Sequence, residues 1–300
     1  MSNTKAWLQA ARLRTLPLSV SGILVGSFYA FSQGFINYSI LGFALLTTLG
    51  LQVLSNFAND YGDGVKGTDN ENRIGPQRAI QSGAITVTAM KKGIIITSIL
   101  TLVAAIVLIY LSFGKDNFGY SIFFFFLGVA AIAAAIKYTV GNSAYGYRGL
   151  GDLFVFIFFG LVSVIGCYFL FAKEVDALVI LPAVTVGLLS VAVLNLNNMR
   201  DQASDALSGK NTIVVKMGAK NAKLYHYTII ITALTLTLVF AVLSNFKVVQ
   251  YIFLIAYIPF ILHIKTVVKN TEPRALDPEL KKVALGTFFL SVLLCIALQL

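Results

Sequence analysis

Apolar runs recur nine times along the chain, at about 16–33, 39–58, 93–113, 119–137, 151–171, 177–198, 226–244, 249–268 and 283–300. Each is close to the ~20 residues that a helix needs to cross the hydrocarbon core of a bilayer. The runs are not amphipathic: Ser121 to Ile136 reads SIFFFFLGVAAIAAAI, apolar on every side. A soluble helical bundle needs a charged outer face, so the pattern excludes one and predicts an all-α integral membrane bundle of nine helices. A single domain, 1–300, is expected, with two similar four-helix halves at about 16–137 and 151–268 and the ninth helix after them. The first run follows Lys5, Arg12 and Arg14 but has no small-residue cleavage pattern, and reads as a retained first helix.

Composition and charge fit the same picture. The chain is 57% hydrophobic and only 12% charged, where a soluble domain carries about 25% charged residues. A net charge of +10 suggests nucleic acid in a soluble protein. Here the basic residues lie between apolar runs and suit phospholipid headgroups instead. Of the 23 lysines and arginines, only Lys115, Lys173 and Lys247 fall on one side of a nine-helix topology. The rest share the side of the N-terminus, which the positive-inside rule places in the cytoplasm, at the cell inner membrane. Cys167 and Cys295 sit inside apolar runs and read as packing residues. The connections after the second and sixth runs come to roughly 25–35 residues, long enough to suggest function.

Both connections begin with acids and amides. In the first segment Gln52, Asn56, Asn59 and Asp63 are spaced four, three and four apart, beside Asp60, with Asp69 further on. In the second, Asn198, Asp201 and Asp205 are three and four apart. Such spacings put each set on one helical face. Polar groups on a membrane helix normally face a cavity or the bundle interior. Two carboxylate stripes in one cavity repel each other unless something positive lies between them. Oxygen donors without His or Cys favour a hard cation such as Mg²⁺, which shares its coordination with substrate phosphates. The economical reading is a diphosphate substrate bridged by Mg²⁺ to both segments. Lys66, Arg73 and Arg78 follow the first segment, and Arg200 and Lys210 flank the second. They are candidates to neutralise a leaving diphosphate.

These residues resemble the UbiA-type membrane prenyltransferases, a superfamily with nine helices and two aspartate-rich motifs. Its Asn-Asp-x-x-Asp pattern is matched by Asn59, Asp60 and Asp63, and its Asp-x-x-x-Asp pattern by Asp201 and Asp205. Where many aromatic prenyltransferases have a third acid this chain has Gly67, with Asp69 two residues later. Within the superfamily the chain is most similar to the 1,4-dihydroxy-2-naphthoate polyprenyltransferases. Arg12-Leu-Arg14-Thr-Leu-Pro17, the stretch from Gly75 to Gly83, Lys210 to Gly218 and, most specifically, Tyr138 to Asp152 carry that similarity.

The resemblance implies transfer of a polyprenyl group from polyprenyl diphosphate to dihydroxynaphthoate, with loss of diphosphate and CO₂, giving demethylmenaquinone. It implies the aspartates as catalytic and metal-binding residues, with Asn56, Asn59 and Asp69 beside them. Tyr138, Asn142, Tyr145, Tyr147, Arg148 and Asn198 are candidates for the aromatic acceptor, since tyrosines can stack on a ring and Arg148 can meet its carboxylate. Such chemistry needs no protein nucleophile, and His226 and His263 both fall in apolar runs. The alternatives are the same chemistry on 4-hydroxybenzoate or homogentisate, or a cation-coupled transporter. A transporter usually holds its coupling residues near the bilayer midplane, whereas these acids lie at the ends of apolar runs. Substrates and a lipid bilayer are the expected partners, and nucleic acid is not.

Overall fold

A computed structural model describes residues 3–70 and 74–300. Among the described residues no strand forms, and nine helices are long and apolar enough to span a membrane, as the pattern predicts. A short helix α1 (Asn3–Ala11) precedes α2 (Leu16–Ser32), α3 (Tyr38–Val65), α4 (Val87–Phe113) and α5 (Phe118–Lys137). Then follow α6 (Gly151–Ala172), α7 (Ala177–Leu207), α8 (Ile213–Leu243), α9 (Val248–Lys269) and α10 (Pro273–Gln299). The last two begin in 3₁₀ geometry, over Val248–Ala256 and Pro273–Leu276.

Several helices outrun their apolar segments, which corrects the expected loops. Helix α3 continues to Val65 because Asn56, Asp60 and Asp63 point inward and are buried. Helix α7 runs to Leu207 for the same reason, burying Asn198, Arg200, Asp201 and Asp205. Helix α8 begins at Ile213, where the Thr212 hydroxyl caps its first turn by accepting from the Val215 amide, and it is broken by a kink at Gly218, φ 79°, before running on to Leu243. The connection after α7 therefore shrinks to residues 208–212, far short of the length expected, while that after α3 spans 66–86. Hydropathy falls where polar residues begin, but a helix whose polar face looks into the protein has no reason to stop there.

Helix α7 lies at the centre, against α6, α8 and α10, while α2 packs between α3, α6 and α10. Helix α5 leans mainly on α3 and α4 and exposes Phe123 and Phe126 where a bilayer would lie. Small residues let the central backbones approach closely. A Cβ on Gly160 of α6 would stand 2.6 Å from the Gly187 Cα of α7 and 2.7 Å from the Ala183 carbonyl oxygen. Around this crossing α6 is a π-helix, Phe156–Gly166, a form that runs of apolar residues do not reveal and that is common at functional sites.

At the end of the bundle that carries the acidic segments, α1 lies across α3. The Trp7 ring meets Phe57 edge-on at 5.2 Å, within a separate buried cluster that includes Ala6, Ala10 and Met90. The chain then turns through Arg12 in a left-handed conformation, φ 50°. A non-glycine residue there is strained, and the side chain's destination is the reason it is held. The α6–α7 contact yields a stability prediction. Gly160→Val should destabilise the folded protein by roughly 2–3 kcal/mol through overpacking, read as a lower melting temperature in detergent. An unchanged melt would disprove the crossing.

Candidate active site

The two acidic segments come together, and cations from four parts of the chain lie among them. Asp60 is 1% exposed. It accepts from Arg12 Nη2 at 2.5 Å and from the Ala79 amide at 3.3 Å, with Arg78 Nε at 3.7 Å. Arg78 also approaches Asp69 at 3.9 Å, so Asp69, despite its offset from the family pattern, is drawn in beside Asp60. Lys210, buried in the connection after α7, stands between the segments, 4.0 Å from Asp63 Oδ2 and 3.7 Å from Asp205 Oδ1. Burial alone would lower the Lys210 pKa, but the fields of Asp63 and Asp205 outweigh it and the pKa is raised. A raised amine pKa contributes stability that is fully present below the unfolded value and lost only as pH rises through the folded one. The Lys210 charge thus persists across the neutral range.

Arg200 is 3% exposed. It binds Asp201 in a fork, Nε to Oδ1 at 2.9 Å and Nη2 to Oδ2 at 2.7 Å, and also reaches Asn197 at 2.9 Å and Asp277 at 2.5 Å. A forked guanidinium fixes the plane of its carboxylate. Arg200, expected at the diphosphate, therefore first of all orients Asp201.

The residues expected at the aromatic acceptor divide. Tyr138 and Tyr145 line the cavity, with ring centroids 5.4 Å apart, and Tyr145 stacks on Phe154 at 4.0 Å. Burial pushes the Tyr138 phenol up to about 12, so it stays protonated. Tyr147 serves the acids instead. Its hydroxyl donates to Asp63 at 2.7 Å and accepts from Thr68, and its ring lies under Lys66 at 3.9 Å. Asn142 and Arg148 are exposed and do not line the cavity, which corrects their expected place at the ring. The Tyr138–Asp152 loop passes close over the end of α3, where a Cβ on Gly62 would fall 2.4 Å from the Thr139 hydroxyl. That approach turns Tyr147 inward and leaves the loop tip outside.

The expected amides divide as well. Asn56 does not line the cavity; its amide donates to the Ala11 carbonyl at 2.9 Å and so holds α1. Asn59 does line it, while Asn198 is buried behind it and Asn197 takes the lining position. Arg73 lies outside the described residues. Four charged lining residues fall outside the expected set of site residues: Arg12, Arg14, Asp277 and Lys281. Arg12 and Arg14 could have been noticed as cations just before the first apolar run, but Asp277 looks like an ordinary acid at a helix start.

From this polar end a cavity of about 540 Å³ runs into the apolar interior. Leu127, Phe158, Val162 and Leu170 are among its walls. At its far end Phe124 stacks on Phe169 at 5.7 Å, and Tyr120 meets Phe169 edge-on at 5.0 Å, joining α5 to α6. At the near end Tyr145 and Phe154 close the same seam. Between these aromatic contacts α5 and α6 scarcely touch.

Residues 19–294 match the sequence profile of the UbiA prenyltransferase family. The chain is 42% identical over 297 residues to the 1,4-dihydroxy-2-naphthoate octaprenyltransferase of Haemophilus influenzae, covering 98% of this chain and 96% of that one. It is 41% identical to the protein of the same name from Escherichia coli K12, over 98% and 94% of the two chains. For that from Mycobacterium tuberculosis the figures are 33% identity over 83% and 82%. The fold is shared with a solved digeranylgeranylglyceryl phosphate synthase, TM-score 0.60 at 19% identity over the whole of both chains.

The Lys210 bridge generates the prediction for this site. Lys210→Met should leave Asp63 and Asp205 facing each other without their shared cation and destabilise the protein by about 3 kcal/mol. Chemical unfolding at neutral pH measures this, and a variant as stable as the parent would exclude Lys210 as the bridge.

Proposed function

The chain belongs to the UbiA prenyltransferase family, and from that premise we propose that it transfers a polyprenyl group from polyprenyl diphosphate to 1,4-dihydroxy-2-naphthoate. The products are demethylmenaquinone in its reduced form, diphosphate and CO₂. The observation that carries the reading is one continuous space: acids and cations at one end, two tyrosines beside them, and an apolar cavity below. Near-full-length relatives that bear the naphthoate name support the choice of acceptor.

In the reaction the allylic C–O bond breaks and its electron pair leaves with the diphosphate. A ring carbon of the naphthoate supplies the pair for the new C–C bond. The pair of the ring–carboxyl bond returns to the ring as CO₂ departs. Arg78 and Lys210 line the cavity beside Asp63 and Asp201, where they are placed to receive the charge of the departing diphosphate. Tyr138, held neutral, and Tyr145 form a wall on which the ring can lie. The apolar walls below exclude water from the allylic cation. A cavity of about 540 Å³ suits a drug-sized ligand and is too small for a long isoprenoid. A longer tail would have to extend beyond it, and the loosely packed α5–α6 side is where it would pass.

Mg²⁺ fits the donor set. Every candidate ligand is an oxygen, and among the described residues no three His, Cys or acidic groups converge on one point. A cation held there must share its coordination with substrate phosphate, as Mg²⁺ commonly does. Asp63 and Asp201, with Asn59, line the cavity and would hold it together with the diphosphate, while Asp205 would act through Lys210. Asp60 and Asp69 would act from behind, through Arg12 and Arg78. When bound it would supply positive charge to the leaving diphosphate. The acid-bearing end, rich in lysine and arginine, faces the cytoplasm of a cell membrane on the positive-inside rule.

Two measurements test this reading. Purified protein in detergent, given octaprenyl diphosphate and Mg²⁺, should prenylate dihydroxynaphthoate with CO₂ release and should leave 4-hydroxybenzoate untouched. Turnover of hydroxybenzoate with an inert naphthoate would overturn the acceptor. Asp63→Asn or Asp201→Asn should lower turnover by at least about 10²-fold while the protein still melts cooperatively. Near-normal turnover in either variant would refute the shared-cation site.

A further inference from the structure

The acid at the start of α10 has no part in either aspartate motif, yet it lines the cavity and grips the arginine that orients Asp201. Asp277 Oδ1 accepts from Arg200 Nη1 at 2.5 Å, and its side chain is 40% exposed. Arg200 thus shares one positive charge between two carboxylates, Asp201 and Asp277. With Asp201 alone the pair would sum to zero. With Asp277 the three side chains Asp201, Arg200 and Asp277 together carry a net negative charge, and the guanidinium is pinned from three sides by Asp201, Asn197 and Asp277.

Asp277 is itself held in place. Two residues along α10 is Glu279, about 200° around the helix, so that one acid looks into the cavity while the other looks away. Glu279 accepts from His263 Nδ1 of α9 and from Lys282, both at 2.5 Å. His263 Nε2 lies 2.8 Å from His226 Nε2 of α8. Both histidines are 0% exposed and Glu279 is 4% exposed. The two imidazoles thus meet Nε2 to Nε2, one of them donating to the other. This chain fastens the start of α10 to α8 and α9. Nothing in the proposed reaction uses it directly.

We propose that Asp277 is a positioning residue for the second acidic segment. It takes up part of the Arg200 charge, so that Asp201 keeps the negative charge and the direction it needs to share a divalent cation with a diphosphate, and the Glu279–His263–His226 chain sets its place. The inference rests on the function proposed above.

The test is the thermal stabilisation of detergent-purified protein by Mg²⁺ at fixed inorganic diphosphate. Asp277→Asn keeps the shape and removes the charge. It should raise the Mg²⁺ concentration for half-maximal stabilisation roughly tenfold, with the melting temperature in EDTA unchanged. Turnover should fall at low Mg²⁺ and recover at high Mg²⁺, with KM for the naphthoate unchanged. Asp277→Glu should restore most of the Mg²⁺ response. Glu279→Gln should shift that response in the same direction as Asp277→Asn. An unmoved Mg²⁺ midpoint in Asp277→Asn, or an Asp277→Glu protein no better than Asp277→Asn, would overturn the proposal. So would failure of Asp277→Asn to fold, since the role would then be structural. If the parent protein prenylates no acceptor while the midpoint still depends on Asp277, the function fails and this inference stands. If it turns over and the midpoint does not move, only this inference fails.

Discussion

The constraint on which the molecule depends is that two groups of carboxylates must share one cavity in a membrane-embedded bundle. Removing a charge from water is expensive, and like charges in a medium of low dielectric repel strongly. The protein meets this with a cation for each acid: Arg12 and Arg78 for Asp60, Arg78 for Asp69, Arg200 for Asp201, and Lys210 for Asp63 and Asp205 together. The cations come from the end of α1, the connection after α3, α7 itself and the connection after α7. Pairing them closes that end of the bundle. The left-handed turn at Arg12 and the docking of Trp7 on Phe57 both follow from the need to deliver one guanidinium.

Below the charges, shape is set by where small residues occur. Glycines bring α6 and α7 into close contact at Gly160 and Gly187, and α6 widens there into a π-helix. No comparable contact draws α5 inward; Phe124 joins it to α6 at one end of the cavity, and at the other Tyr145 of the connecting loop donates to the Ala134 carbonyl of α5 and stacks on Phe154 of α6. A tight centre and a loose flank follow from the same packing rule. In lipid there is no hydrophobic drive to close a gap, so helices without small residues or polar contacts stay apart.

The number of spans and the two acidic segments were legible because they depend on local pattern, runs of about 20 apolar residues and polar spacing of three and four. Helix ends were not. At Asp63 and Asp205 the polarity that marks a helix end is the same polarity that marks an inward face, and only packing separates the two. The Tyr138–Asp152 loop shows a second limit. Its tyrosines were visible as a group, but the close approach at Gly62 sends Tyr147 to Asp63, leaves Tyr138 and Tyr145 at the cavity and keeps Arg148 outside. Asp277 shows a third. It becomes a site residue only because α10 starts beside Arg200, a contact 77 residues apart in the chain.

The pairing of acids with cations also bears on how such a site can work repeatedly. Before substrate arrives, each of the four cations Arg12, Arg78, Arg200 and Lys210 is held by a carboxylate, so none of them is left without a counter-charge. A diphosphate entering with its own cation brings both signs at once. On the proposed function, Lys210 and Arg78 would turn part of their charge toward phosphate while the carboxylates would hold the metal, and the total charge of the cavity would scarcely change. Electrostatic stabilisation is most effective where the groups need not reorganise as charge develops. Arg200, forked on Asp201 and tied to Asp277, is the least free to turn, whereas Lys210, at 3.7 and 4.0 Å from its two acids, is held more loosely. Those distances suggest a division of labour for the proposed reaction: Arg200 keeps Asp201 in place, and Lys210 would be the cation that follows the departing diphosphate.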